Sequence, residues 1–149
     1  MNKTVQLQDF KKVPLLLTLL LSFITFGVYM AYWFIRERKN FTNQEGIRVI
    51  SIKLWWAFLL FLIVSFFHSL IGTFLFTPYG LAITESVDVI LSAYFLGLLY
   101  YSVFRIRDIV EDTHQEKIFK PWLLVLFHIW YVQYKVNQAH RQPLHQKHR

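Results

Sequence analysis

The chain has 149 residues, of which 55% are hydrophobic and only 17% charged, and it carries 16 Lys and Arg against 9 Asp and Glu. An average soluble domain is roughly 25% charged, so this composition excludes an ordinary soluble domain and a disordered chain. The absence of cysteine excludes a disulfide scaffold. Because the apolar residues lie in long blocks, we predict one all-α, multi-pass membrane domain over residues 1–149.

The first apolar segment covers residues 13–35 and follows two lysines. It is long enough for a transmembrane helix, which needs about 20 residues. Thr25 and Gly27 mark a point where this helix could break. Glycine permits a bend, and the threonine hydroxyl can satisfy backbone groups that the bend frees.

The second and third segments, 54–76 and 87–106, are predicted to form a central transmembrane hairpin. The second has no charged residue, and the turn 77–86 between them has no Lys or Arg. We expect Thr84 to be the N-cap of the third helix, because the carboxylates that follow it favour a helix N-terminus. Arg107 and Glu111 could pair on a helix that continues beyond the membrane.

The fourth segment, 119–134, is short for a span. As a helix it measures roughly 24 Å, against a hydrocarbon core of ~30 Å. Residues 137–149 form a predicted basic, flexible tail. Its cations are expected to lie on anionic lipid headgroups and not on nucleic acid, because the basic residues flank apolar segments.

Two topologies agree with this pattern. Either all four segments cross the membrane, or the central hairpin crosses while 13–35 and 119–134 are re-entrant or interfacial. Only the second arrangement keeps all 16 basic residues on the cytoplasmic side, where Lys and Arg are favoured. The sequence leaves both open.

Small residues predict how the hairpin packs, because transmembrane helices associate through close backbone approach. Four-residue spacing places small side chains on one face of each helix. The alternative is that these faces contact another protomer. The predicted seam consists of Ser65, Ser69 and Thr73 on the second segment and Ala93 and Gly97 on the third.

His68 is the best polar candidate inside a predicted span, where an ionisable residue suggests function. It could relay protons or contact a substrate. The simpler interpretation is a neutral imidazole bonded to Tyr94 or Ser92, because no second ionisable group is expected at the same depth.

Two motifs resemble a known family. Residues 25–33, Thr-Phe-Gly-Val-Tyr-Met-Ala-Tyr-Trp, and residues 131–137, Tyr-Val-Gln-Tyr-Lys-Val-Asn, are similar to stretches of small bacterial inner-membrane proteins in the domain-of-unknown-function family numbered four-two-three-four. The resemblance implies a bacterial multi-pass membrane protein and no established activity. It marks these positions as structural: Thr25, Gly27, Tyr29, Tyr32, Trp33, Gln133 and Asn137.

We expect the tyrosines and Trp33 to anchor in the membrane interface, and Gln133 and Asn137 to bond the backbone freed at Gly27. No enzyme motif is present, and we expect no catalytic residue, cofactor or metal. The predicted function is a non-enzymatic component that assembles with itself or a membrane partner, or contacts lipid. The alternative is an oligomeric transporter or channel, whose path His68, Ser65, Ser69 and Thr73 would line.

Overall fold

The computed structural model describes residues 6–41 and 50–141. These residues form five α-helices and no β-strand, which confirms the all-α prediction. Two short 3₁₀ turns precede and follow the first helix pair, at Leu7–Asp9 and Arg38–Asn40. The helices are α1 (Leu15–Ile24), α2 (Val28–Arg36), α3 (Ile52–Leu75), α4 (Pro78–His114) and α5 (Pro121–Arg141).

The predicted break in the first segment separates α1 from α2. Phe26 and Gly27 adopt φ values of 47° and 90°, a left-handed backbone that ends α1. The Thr25 hydroxyl donates to the Leu21 carbonyl at 2.6 Å and accepts from the Tyr29 N–H at 3.0 Å. Thr25 thus satisfies backbone groups on both sides of the break, as its position in the sequence led us to expect.

The chain reverses direction at this break. Asn40 Nδ2, after α2, donates to the Asp9 carbonyl, before α1, at 3.1 Å. The rings of Phe10 and Trp33 stack with centroids 6.1 Å apart. The α1–α2 unit therefore goes out and returns to the end at which it began.

The central hairpin is formed by α3 and α4, but α4 begins earlier than the sequence suggested. The N-cap is Thr77, whose hydroxyl accepts from the Gly80 N–H, and Pro78 occupies the first turn. Proline is favoured there because its missing N–H needs no partner. The prediction that Thr84 caps this helix is wrong, since Thr84 lies inside α4.

The end of α4 continues well past residue 106. Arg107 Nε and Glu111 Oε2 lie 3.7 Å apart, so the predicted pair forms on the extended helix. Glu111 Oε1 also accepts from the backbone N–H groups of Ile118 and Phe119, at 3.1 and 2.9 Å. This carboxylate therefore fixes the connection between α4 and α5.

α5 also reverses its direction, at His128, whose φ is 41°. The Lys120 N–H donates to the Tyr131 hydroxyl at 3.3 Å although the two residues are 11 apart in sequence. In a straight helix they would be separated by about 16 Å. The helix then continues to Arg141, so the first residues of the predicted tail are helical. Residues 142–149 lie outside the described part.

Aromatic side chains connect α2, α3 and α4 near the start of α3. Phe34 of α2 stacks on Trp55 of α3 with ring centroids 3.9 Å apart. Trp55 Nε1 donates to Ser102 Oγ of α4 at 3.2 Å. Both Trp55 and Ser102 are fully buried. The core therefore lies at the end of the hairpin away from the Pro78 turn.

Two helices of the described ranges are long and apolar enough to cross a membrane by length and composition. These are Ile52–Gly72 of α3, with a mean hydropathy of 2.1, and Pro78–His114 of α4, with 1.7. Their most apolar stretches are only 6% and 22% buried within the molecule. α1, at 10 residues, is shorter.

Candidate functional site

The chain reverses direction in two units, α1–α2 and α5, which we call the reversing units. A buried polar cluster joins them, and its centre is Gln133 on α5. Gln133 Oε1 accepts from Trp33 Nε1 of α2 at 2.8 Å. Its Nε2 donates to the Lys11 carbonyl and to Asn137 Oδ1, each at 3.1 Å. Asn137 Nδ2 in turn donates to the Val13 carbonyl at 2.7 Å.

The local sequence explains why these polar groups meet. Gln133 and Asn137 are four residues apart, so they share one face of α5. The segment before Pro14 is not helical and leaves the carbonyls of Lys11 and Val13 without intrahelical partners. Trp33 and Gln133 are both fully buried, where unpaired polar groups would be costly. The cluster therefore binds three chain segments together.

The structure thus brings Trp33, Gln133 and Asn137 into one cluster, although the two motifs lie about a hundred positions apart. The expectation that Gln133 and Asn137 bond the backbone freed at Gly27 is wrong. They bond the segment before α1. Both ends of the α1–α2 unit lie beside α5, whereas the break at Gly27 lies at the opposite end of that unit.

The two motif tyrosines lie outside this cluster. Tyr29 and Tyr32 contact each other with centroids 6.2 Å apart, and Tyr32 is exposed. Trp33, in contrast, is fully buried. The expectation that Trp33 is an interfacial anchor is therefore wrong, because its indole N–H is used inside the protein.

A second polar site lies between α3 and α4, around His68. Its Nε2 is 3.1 Å from Thr84 Oγ1, and its Nδ1 is 3.9 Å from Asp88 Oδ2. The site opens into a groove of about 520 Å³ with mostly apolar walls. Gly72 makes room for the imidazole, since a Cβ there would lie 3.0 Å from Nε2.

This geometry corrects the prediction for His68 in two respects. Its hydrogen-bond partner is Thr84 and not Tyr94 or Ser92, because α4 begins at Pro78 and carries Thr84 alongside α3. A second ionisable group, Asp88, does lie beside it. Thr84 also bonds the Leu81 carbonyl at 2.9 Å. When the Thr84 hydroxyl donates to the Leu81 carbonyl, it accepts from the Nε2–H of His68. The other ring nitrogen, Nδ1, then carries no hydrogen and faces Asp88.

The predicted small-residue seam does not form within the molecule. A Cβ at Gly97 would meet nothing within 4 Å, and Ala93 and Ser69 are exposed. Ser65 lines the His68 groove instead. The side chain of Thr73 lies outside the described part. The contacts between the two helices include Trp55 with Ser102 and Phe95, and His68 with Thr84. The prediction that the small residues form the seam is therefore wrong.

Sequence reasoning missed two residues of structural weight. Glu37 is buried and accepts from Arg36 Nε and Asn40 Nδ2, both at 2.9 Å. A lone acid among three basic residues, Arg36, Arg38 and Lys39, was the available signal. His128 packs on Tyr100 with ring centroids 4.7 Å apart, and its buried Nε2 has no partner in the described chain. Its position matches Gly27 in a faint repeat between Phe26–Trp33 and Phe127–Tyr134.

Within residues 6–41 and 50–141, no three His, Asp or Glu side chains are grouped so that they could hold a metal ion. Comparison with protein-family models, curated proteins and solved structures finds no match to this chain. The resemblance of the two motifs to an inner-membrane family therefore stays a prediction.

Proposed function

We propose that the chain is a non-enzymatic membrane protein, in which the α3–α4 hairpin crosses the bilayer and the two reversing units enter it from one side. The observation that carries this proposal is the exposure of α3. Large apolar side chains are exposed along one broad face of its outer half, and they include Leu60, Val64, Phe67, Ile71 and Phe74.

Such a helix is not the core helix of a soluble protein, because its apolar stretch is only 6% buried. A broad, exposed apolar face of this length requires an apolar surrounding. The 24 residues of α3 measure about 36 Å, enough for a ~30 Å hydrocarbon core.

The distribution of charge supports the re-entrant arrangement. No Lys or Arg occurs between Lys53 and Arg105, so the basic residues of the hairpin lie toward its open end, away from the Pro78 turn. Both reversing units return toward the end that carries these cations. Basic residues favour the cytoplasmic side, and the motif resemblance supports the bacterial inner membrane as the location.

A charged substitution on α3 tests the surrounding medium. Leu60 is 65% exposed. In water, Leu60→Arg would leave folding unchanged. In lipid it costs about 2.5–3.5 kcal/mol at the middle of a span. We therefore expect Leu60→Arg to reduce the fraction of chain that resists extraction by alkaline carbonate, with Gln138→Arg on exposed α5 as the unaffected control. Extraction of the wild-type chain would refute the proposal.

The action of this protein, on this proposal, is assembly with itself or a membrane partner, or contact with lipid. The two polar sites support this more than catalysis. Gln133 has its amide groups used in structural bonds, and the Thr84 hydroxyl beside His68 lies within hydrogen-bond distance of the Gly80 and Leu81 carbonyls of its own helix. Crosslinking in native membranes, followed by identification of the captured species, tests it. Recovery of the chain without any partner, lipid or second copy would contradict assembly.

The second candidate is an oligomeric transporter or channel, which the His68–Asp88 pair favours. An ionisable pair within a spanning hairpin is costly and suggests a proton or cation path. Proton flux in reconstituted vesicles tests this. Flux that His68→Gln and Asp88→Asn both abolish, while Asp112→Asn near the C-terminal end of α4 does not, would replace the first proposal.

A further inference from the structure

The start of α1 and the end of α5 enclose a groove of about 730 Å³. This volume is within the roughly 300–1,000 Å³ range of sites for small molecules. One wall is the chain from Lys12 to Leu16, and the other is a face of α5. The groove adjoins the buried cluster, since Asn137 contributes to both.

The two walls have different chemistry. On α5, Tyr134, Gln138 and Arg141 recur at helical spacing and present polar groups along one face. On the other wall, Val13, Pro14 and the leucines are apolar, and Leu16 is 77% exposed. Lys12 stands at the end of that wall.

The charge of the groove has one sign. Lys12 and Arg141 are both exposed cations, and none of the described residues that line the groove is acidic. A ligand that complements this surface has an anionic head for the two cations and an apolar chain for the leucine wall.

We propose that this groove binds one anionic phospholipid, with its phosphate between Lys12 and Arg141 and an acyl chain along Leu15 and Leu16. This inference rests on the proposed membrane function, because a lipid reaches the groove only if α1 enters the bilayer. Arginine can bind phosphate through two N–H groups, and lysine acts as a point charge.

The test is native mass spectrometry of the full chain, delipidated in neutral detergent. The probe is an equimolar mixture of phosphatidylglycerol and phosphatidylcholine with the same acyl chains. We expect a preference for phosphatidylglycerol that falls in the double variant Lys12→Gln/Arg141→Gln. The expected loss is about fivefold for each cation removed, corresponding to ~1 kcal/mol per basic side chain.

The matched control is Lys53→Gln/Lys117→Gln, which removes two exposed cations elsewhere. An equal loss of preference in this control, or none in the groove variant, would overturn the inference. Displacement of the lipid by glycerol 3-phosphate at equal concentration would also overturn it, because the ligand would then be a soluble phosphate ester.

A third variant covers misfolding of the double mutant, which circular dichroism detects. Leu16→Gln keeps both cations and weakens only the acyl contact, so it should lower total lipid binding while the preference for phosphatidylglycerol remains. A chain that resists carbonate extraction but shows no such preference refutes this inference alone. A chain that is extracted refutes the proposed function.

Discussion

At the scale of single residues, Gly27 and Gln133 carry requirements that no other residue type meets well. Gly27 has a φ of 90°, where a side chain is strained whatever the space around it. Gln133 supplies one acceptor and two donors from a single fully buried amide. Both lie in the two sequence motifs. The left-handed backbone accounts for Gly27, and the three buried hydrogen bonds account for Gln133.

Gly27→Ala is expected to destabilise the protein by about 1–2 kcal/mol, the cost of a left-handed backbone for a residue with a Cβ. The measurement is the free energy of unfolding in mixed micelles. The control is Gly97→Ala, where the backbone is helical and a Cβ meets nothing within 4 Å. Equal effects of the two substitutions would show that the break at Gly27 is not the source of strain.

Gln133→Leu should cost about 1–3 kcal/mol for each polar group left unpaired. Three groups lose their Gln133 partner, namely Trp33 Nε1, the Lys11 carbonyl and Asn137 Oδ1. A double-mutant cycle with Trp33→Phe isolates their coupling by chemical unfolding. Gln138→Leu, on the exposed side of the same helix, provides the matched control. A cycle without coupling would mean that the Trp33–Gln133 bond contributes no stability.

At the scale of helices, the length of α4 determines what its neighbours contact. Because it begins at Pro78, Thr84 and Asp88 face His68. Because it continues to His114, Glu111 caps the connection to α5. Of the small residues that were predicted to form the seam, Ser69, Ala93 and Gly97 are exposed.

Gly97→Leu is accordingly expected to leave the folding of the single chain unchanged, since the position opens onto empty space. Unfolding in micelles measures this, and the yield of crosslinked dimer in vesicles is recorded in parallel. A loss of dimer with folding intact would support the prediction that the small residues contact another protomer. Loss of folding would contradict the register observed here.

At the scale of the whole molecule, both flanking segments leave and return at one end of the hairpin. In the proposed re-entrant topology, this relation would place the basic residues on one side of the membrane. Because the chain contains no cysteine of its own, single introduced cysteines provide a direct test of topology.

Single cysteines at Gln8, Lys39 and Tyr79 occupy exposed sites before α1, after α2 and at the turn of the hairpin. Labelling of intact vesicles with an impermeant maleimide is expected to place Gln8→Cys and Lys39→Cys on the same side and Tyr79→Cys on the other. Four complete spans would instead place Gln8→Cys and Lys39→Cys on opposite sides, which would refute the re-entrant arrangement.

The sequence by itself determined the helical class, the two long apolar helices and the break at Gly27. These features depend on local composition. The lengths of the apolar segments indicate the helices, and the glycine indicates the break. It also selected Trp33, Gln133 and Asn137, but it assigned them other partners.

Only the tertiary structure decided that the break returns the chain, that α5 reverses at His128, and that His68 lies beside Asp88. Each of these depends on pairs of groups far apart in sequence, such as Trp33 with Gln133 and Asn40 with Asp9. Local patterns limit where a helix can end. The direction that the chain then takes depends on which distant donors and acceptors it satisfies, since buried polar groups must find partners.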